Sequence, residues 1–105
     1  MKYYLGIDPG LSGALAFYDP LNDEMQVFDM PTHDIETNNS KRRKIDLHGL
    51  ASLTRKFAPD LNRAIIEDVG AMPGQGVTSM FSFGFSAGCA QMALAAMQIR
   101  FETVQ

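Results

Sequence analysis

The chain has 105 residues, 46% of them hydrophobic and 20% charged, which is enough for one hydrophobic core and too little for a second. That balance excludes a disordered or fibrous chain, and the lone cysteine, Cys89, excludes an intrachain disulfide or a zinc site and suits a small buried residue in a reducing compartment. The net charge of −3 argues against a nucleic-acid partner only until its distribution is read. Between Ser40 and Arg63 seven basic residues stand against two acids, a local charge of +5, while the rest of the chain carries −8.

The start, Met1 to Ile7, runs into Asp8 without an uninterrupted apolar stretch for a signal peptide. The weakly polar run Ala87 to Ile99, broken by Gln91 and Gln98, is shorter than the ~20 residues that span a bilayer. A cytoplasmic protein with no membrane partner is expected. Tyr3 to Ile7 favours a strand that ends at Asp8, and Asp8-Pro9-Gly10 is turn chemistry. Ala14 to Tyr18 and Met25 to Met30, separated by the turn residues Asp19 to Asp23, complete a three-strand antiparallel meander.

Pro31 to Lys44 is polar and without period, and is expected to be a long exposed loop carrying the basic residues Lys41, Arg42, Arg43 and Lys44. Asp46 can cap a helix with apolar positions at Leu47, Leu50, Ala51, Phe57 and Ala58, which Pro59 stops. The continuous run Ala64-Ile65-Ile66 suits a central strand buried on both faces and ending on Glu67. After a glycine-rich loop, Gly70 to Gly76, a second helix is expected from about Thr78 to Gln98, its Gly84 and Gly88 marking close packing against a neighbour. Arg100 to Val104 reads as a fifth strand. The order β-β-β-α-β-α-β defines an α/β fold with a mixed sheet, its central strands parallel and the meander at its edge.

Asp8 and Glu67 each end an apolar strand, and ligands of open α/β sheets gather outside the carboxyl ends of strands. If those two strands are parallel neighbours, the carboxylates meet and repel unless a cation compensates them. Two carboxylates with further oxygens suit Mg²⁺ or Mn²⁺, which activate water and neutralise charge during phosphodiester cleavage. The bland alternatives are an ordinary Asp-Pro-Gly turn and a glutamate paired with a neighbouring cation. His33 and His48 are read as surface residues.

The run Gly6-Ile7-Asp8-Pro9-Gly10-Leu11-Ser12-Gly13-Ala14, the later Ala64-Ile65-Ile66-Glu67-Asp68-Val69 and the strand and helix order resemble Holliday junction resolvases of the RuvC type. Met30 to His33 and Gly70 to Gly76 resemble a phage or prophage branch of that family. The resemblance implies an RNase H-like fold, a Mg²⁺-dependent endonuclease acting as a homodimer on four-way DNA junctions, and Asp8 and Glu67 as the first two metal-binding, catalytic carboxylates. It also implies a C-terminal helix with two further acids, or an acid and a histidine. No such helix is expected in these residues, so residues 1–105 are read as one nuclease domain incomplete at its C-terminus, with little or no activity alone. Lys41, Arg42, Arg43 and Lys44 would contact phosphates. Relatives often carry an aromatic residue shortly after the glutamate, where this chain has Met72, a candidate wedge between bases. Phe81, Phe83 and Phe85 would face the core, or else substrate or a partner subunit.

Two other readings stay open. The Asp8-Pro9-Gly10 turn with Ser12-Gly13 also fits the first phosphate hairpin of actin-like and sugar-kinase-like phosphotransferases, which need far more chain. A non-catalytic DNA-binding or dimerising remnant fits the missing acids. A Walker-type site is unsupported, since no Gly-Lys-Ser/Thr occurs.

Overall fold

The computed structural model describes residues 2–68, 74 and 76–105. The elements are β1 (Tyr3–Asp8), β2 (Ala14–Asp19), β3 (Glu24–Asp29), β4 (Thr32–Thr37), β5 (Ser40–Ile45), α1 (Leu47–Phe57), β6 (Leu61–Glu67), α2 (Val77–Ala96) and β7 (Phe101–Val104). The five-stranded mixed sheet runs β3-β2-β1-β6-β7. Its meander, β1 to β3, is antiparallel, and β1–β6 and β6–β7 are parallel, which is the α/β arrangement expected from the element order.

Alternation along each strand decides which face is core. Leu5 and Ile7 of β1, Leu15 and Phe17 of β2, and Ala64 and Ile66 of β6 are buried, together with Leu50 and Phe57 of α1 and Ala90 and Leu94 of α2. The two helices touch each other, so both lie on this one face. Phe57 fixes α1 to the sheet: its ring stacks on Phe17 at 3.8 Å between centroids and 16° between planes, and Tyr3 and Phe28 meet it edge-on.

The opposite face of the sheet has no helix on it among the described residues. Tyr4, Gly6 and Asp8 of β1 are exposed there beside Arg63, Ile65 and Glu67 of β6, with Val27 further out on β3. This corrects the expectation that the Ala64-Ile65-Ile66 run is buried on both faces: Ala64 and Ile66 are fully buried, whereas Ile65 is 42% exposed. An unbroken apolar run does not distinguish a doubly covered strand from one whose second face carries apolar residues without a cover.

A second correction concerns Pro31 to Lys44, which is not a loop. Thr32–Thr37 and Ser40–Ile45 form a two-stranded hairpin around Asn38 and Asn39, with Asp34 opposite Arg43, Glu36 opposite Lys41 and Thr37 opposite Ser40. The Thr37 and Ser40 hydroxyl oxygens lie 2.8 Å apart across the turn, and the Asp46 N–H donates to the Pro31 carbonyl at the base. The hairpin stands away from the core except at Ile45, so its faces lack apolar alternation. Its sequence signal is electrostatic, with acids and bases facing one another about the Asn38-Asn39 centre.

Helix α1 begins where Asp46 predicts: the carboxylate accepts from the Gly49 N–H at 2.9 Å, and the helix ends at Phe57 before a single 3-10 turn that contains Pro59. Helix α2 covers the expected span less two residues at its end. Gly84 and Gly88, expected to pack closely on a neighbour, face open space, and a Cβ at either position would meet nothing within 4 Å. Cys89 is half-buried rather than buried, with its thiol pKa pushed up by desolvation. Among the described residues no helix is long and apolar enough to cross a membrane.

The turn from β2 to β3 is held by Asp19, which is 1% exposed. Its carboxylate accepts from the Asn22 side chain at 2.8 Å and from the backbone N–H of Leu21 at 3.0 Å, with Lys2 at 3.9 Å. The Asn22 side-chain hydrogen bond, helped by the two backbone N–H groups and Lys2, holds the Asp19 carboxyl below its usual pKa against the opposing effect of burial. A carboxyl depressed in the folded state stabilises above the unfolded value of about 3.9 and loses that contribution as pH falls through the folded value.

Two outcomes follow from this packing. Phe17→Ala opens the aromatic cluster and is expected to destabilise the fold by about 3–5 kcal/mol in urea denaturation. Asp19→Asn is expected to be less stable than wild type at neutral pH and to show a shallower loss of stability on acidification below about pH 4, read from urea midpoints measured across that range.

Candidate functional site

β1 and β6 lie side by side and run in the same direction, with Leu5 opposite Ala64, Gly6 opposite Ile65 and Ile7 opposite Ile66. The next position on each strand is Asp8 and Glu67. Both acids therefore end adjacent parallel strands, about 4.8 Å apart in the pairing direction, at the carboxyl edge of the sheet. Both are exposed and share the helix-free face, since their neighbours Ile7 and Ile66 point into the core.

The turn after β1 fixes how Asp8 is presented. Its Oδ1 accepts from the Gly10 N–H at 3.4 Å, the Gly13 N–H donates to the Gly10 carbonyl at 2.9 Å, and the Gly13 carbonyl accepts from the Met30 N–H at 2.9 Å. The chain passes so close at Gly13 that a Cβ there would overlap the Asp8 carbonyl oxygen. Gly13 is thus a steric requirement of the path that leads away from Asp8.

Asp29 falls on the same row, since it pairs with Ala14 and Ala14 pairs with Asp8, but a full strand intervenes. Asp68 follows Glu67 and is exposed, its N–H donating to the Val104 carbonyl. No group of three or more metal-ligating side chains comes together among the described residues. Asp8 and Glu67 supply two hard oxygen ligands in a solvent-accessible corner, and a Mg²⁺ ion that keeps several of its waters fits such a donor set.

The four hairpin bases do not share one environment. Lys41 is ion-paired with Asp34 at 3.4 Å, and Lys44 sits over the Phe85 ring at 5.9 Å. Arg43 donates from Nη2 to the Ser12 hydroxyl at 2.7 Å, which ties the hairpin to the turn after Asp8. Arg42 is exposed beside it. The sequence groups the four as phosphate contacts and sets Ser12 beside Gly13 in the phosphate-hairpin alternative, but the partner of Ser12 lies 31 residues away on a hairpin read as a loop. Met72 lies outside the described residues. His33 and His48 are exposed, as expected for surface residues. Phe81 and Phe85 are exposed, Phe81 at 75%, and Phe83 is half-buried beside the Gly10 turn, so of the two readings of this trio the core one does not hold for Phe81 and Phe85.

No protein-family profile matches this sequence, and no curated protein matches it.

Among the described residues Asp8 accepts one long hydrogen bond and is exposed, so its charge should matter little for stability. Asp8→Asn is expected to shift stability in metal-free buffer by no more than about 0.5 kcal/mol. Gly13→Ala must displace the turn and is expected to cost substantially more in the same denaturation experiment.

Proposed function

We propose that this chain is an RNase H-like, Mg²⁺-dependent endonuclease domain of the Holliday junction resolvase type. It would act in the cytoplasm, as a homodimer, on the phosphodiester bonds of four-way DNA junctions. The observation that carries this reading is the parallel pairing of β1 with β6, which sets Asp8 and Glu67 side by side at one sheet edge on an accessible face. Of the runs Gly6 to Ala14 and Ala64 to Val69 that carry the likeness to RuvC-type resolvases, the described residues form these two strand ends and the turn that leaves Asp8.

In this role Asp8 and Glu67 hold Mg²⁺, for which Mn²⁺ can substitute. The ion supplies a polarised water and charge neutralisation at the scissile phosphate. The protein's part is to keep two carboxylates adjacent on a rigid sheet edge and to bring the DNA backbone to them with the basic hairpin. Two protein carboxylates hold Mg²⁺ weakly, so cleavage by the 105 residues alone is slow or undetectable at low Mg²⁺.

The test is cleavage of a labelled four-way junction across a Mg²⁺ and Mn²⁺ titration, comparing wild type with Asp8→Asn and Glu67→Gln. Each substitution is expected to lower the cleavage rate by about tenfold or more at saturating Mn²⁺, at about 1.4 kcal/mol per decade. Cleavage of equal rate in all three proteins would refute the assignment of these carboxylates.

A further inference from the structure

Helices α1 and α2 touch on the core side of the sheet, and between them a groove of about 510 Å³ is open to solvent. Leu47 and Ala51 of α1 line one wall, and Phe85 and Met92 of α2 line the other, with Gly84 and Gly88 on the α2 side. Leu47, Phe85 and Met92 are exposed, and a Cβ at either glycine would meet nothing within 4 Å. Apart from Cys89, every described residue that lines the groove is apolar.

The charges on these two helices have one sign. Helix α2 carries no charged residue in its 20-residue length, and the titratable residues of α1 are His48, Arg55 and Lys56, with no acid among them. Arg55 is exposed and continues the row of Leu47 and Ala51 at four-residue spacing, which puts a cation in line with the α1 wall. Lys44 holds its ammonium 5.9 Å from the Phe85 ring, which puts another beside the α2 wall. Asp46, the acid nearest in sequence to that end of α1, is engaged as the helix cap by the Gly49 N–H.

We infer that this groove docks an amphipathic helix of a partner protein, with an apolar ridge seated between α1 and α2 and flanks rich in Asp and Glu. Helices are recognised this way when apolar anchors at i, i+4 and i+7 fill a hydrophobic channel, and the missing side chains at Gly84 and Gly88 let such a ridge approach the α2 backbone. Charge decides between the occupants that an apolar channel can take. A second copy of this chain would present the same basic rim and be repelled, whereas acids flanking the ridge meet Lys44 and Arg55 as opposite charges. A lipid surface is entered by a projecting apolar face, and here the apolar residues line a hollow between two helices. The groove lies on the side of the sheet away from Asp8 and Glu67, so its occupancy and the nuclease reading stand or fall separately.

The experiment is fluorescence anisotropy of a labelled helical peptide with leucines along one face and glutamates along the other, titrated with the full chain and compared with the same peptide carrying lysines in place of the glutamates. The glutamate peptide is expected to bind at least about tenfold more tightly, a preference that shrinks as salt is raised. Met92→Glu, which charges the wall, and Gly88→Leu, which fills the channel from a position with free space for a side chain, are each expected to weaken the glutamate peptide by about tenfold or more. Arg55→Glu is expected to weaken it by about threefold and to narrow the difference between the two peptides. Leu21→Glu, on the exposed turn between β2 and β3 and outside the groove, is expected to bind within about twofold of wild type, and melting curves check that every variant is folded. Absence of glutamate-peptide binding, equal binding of the two peptides, or binding unchanged by both Met92→Glu and Gly88→Leu would overturn the inference. Sedimentation of the free chain as a dimer that Met92→Glu dissociates would give the groove to a second copy and overturn it too. The same holds for pelleting with phosphatidylserine vesicles that Met92→Glu abolishes while neither peptide binds, which would give the surface to a membrane.

Discussion

The candidate site of this molecule depends on the parallel pairing of β1 with β6. Antiparallel neighbours would place their carboxyl ends at opposite edges of the sheet, but parallel ones bring both to the same edge. Asp8 and Glu67 become neighbours for that reason alone, with no side-chain contact holding them together. The sheet tolerates the two like charges because the edge is exposed and water screens them. A cation between them would turn that mutual repulsion into binding energy.

The second constraint is that α1 and α2 share one face. The stacked rings of Phe17 and Phe57 and the buried Ala90 and Leu94 bind both helices to the same side, so the side carrying the acids stays open to solvent. The polar machinery is then divided by position. Asp8 and Glu67 stand at the carboxyl ends of their strands, while Arg42 and Arg43 border a cleft beside the turn after β1, where Ser12 links the hairpin to the loop that presents Asp8.

The sheet was legible in the sequence because apolar strands, turn residues and the Asp46 cap each carry a local signal. That the ends of β1 and β6 fall at the same end of the sheet was legible for a different reason, since strands joined through a helical crossover run parallel; that the two strands are neighbours comes from the pairing itself. The hairpin escaped because Thr32 to Lys44 buries almost nothing, and a ribbon exposed on both faces leaves no hydrophobic period. The open face escaped because Ile65 is as apolar as its buried neighbours, and sequence records hydrophobicity without recording what covers it. The Arg43 to Ser12 contact was beyond reach once the hairpin was missed, since only the hairpin brings residue 43 back to residue 12.

The most direct test of the central claim is paramagnetic broadening of amide resonances by Mn²⁺ added to the isotopically labelled chain at neutral pH. Shared binding by Asp8 and Glu67 predicts that the signals of Ile7, Asp8, Gly10, Ile66 and Glu67 broaden first and together, and that Asp8→Asn abolishes the effect at both strand ends. Broadening that begins elsewhere, or that persists at Glu67 after Asp8 is neutralised, would contradict a metal site built on the paired ends of β1 and β6.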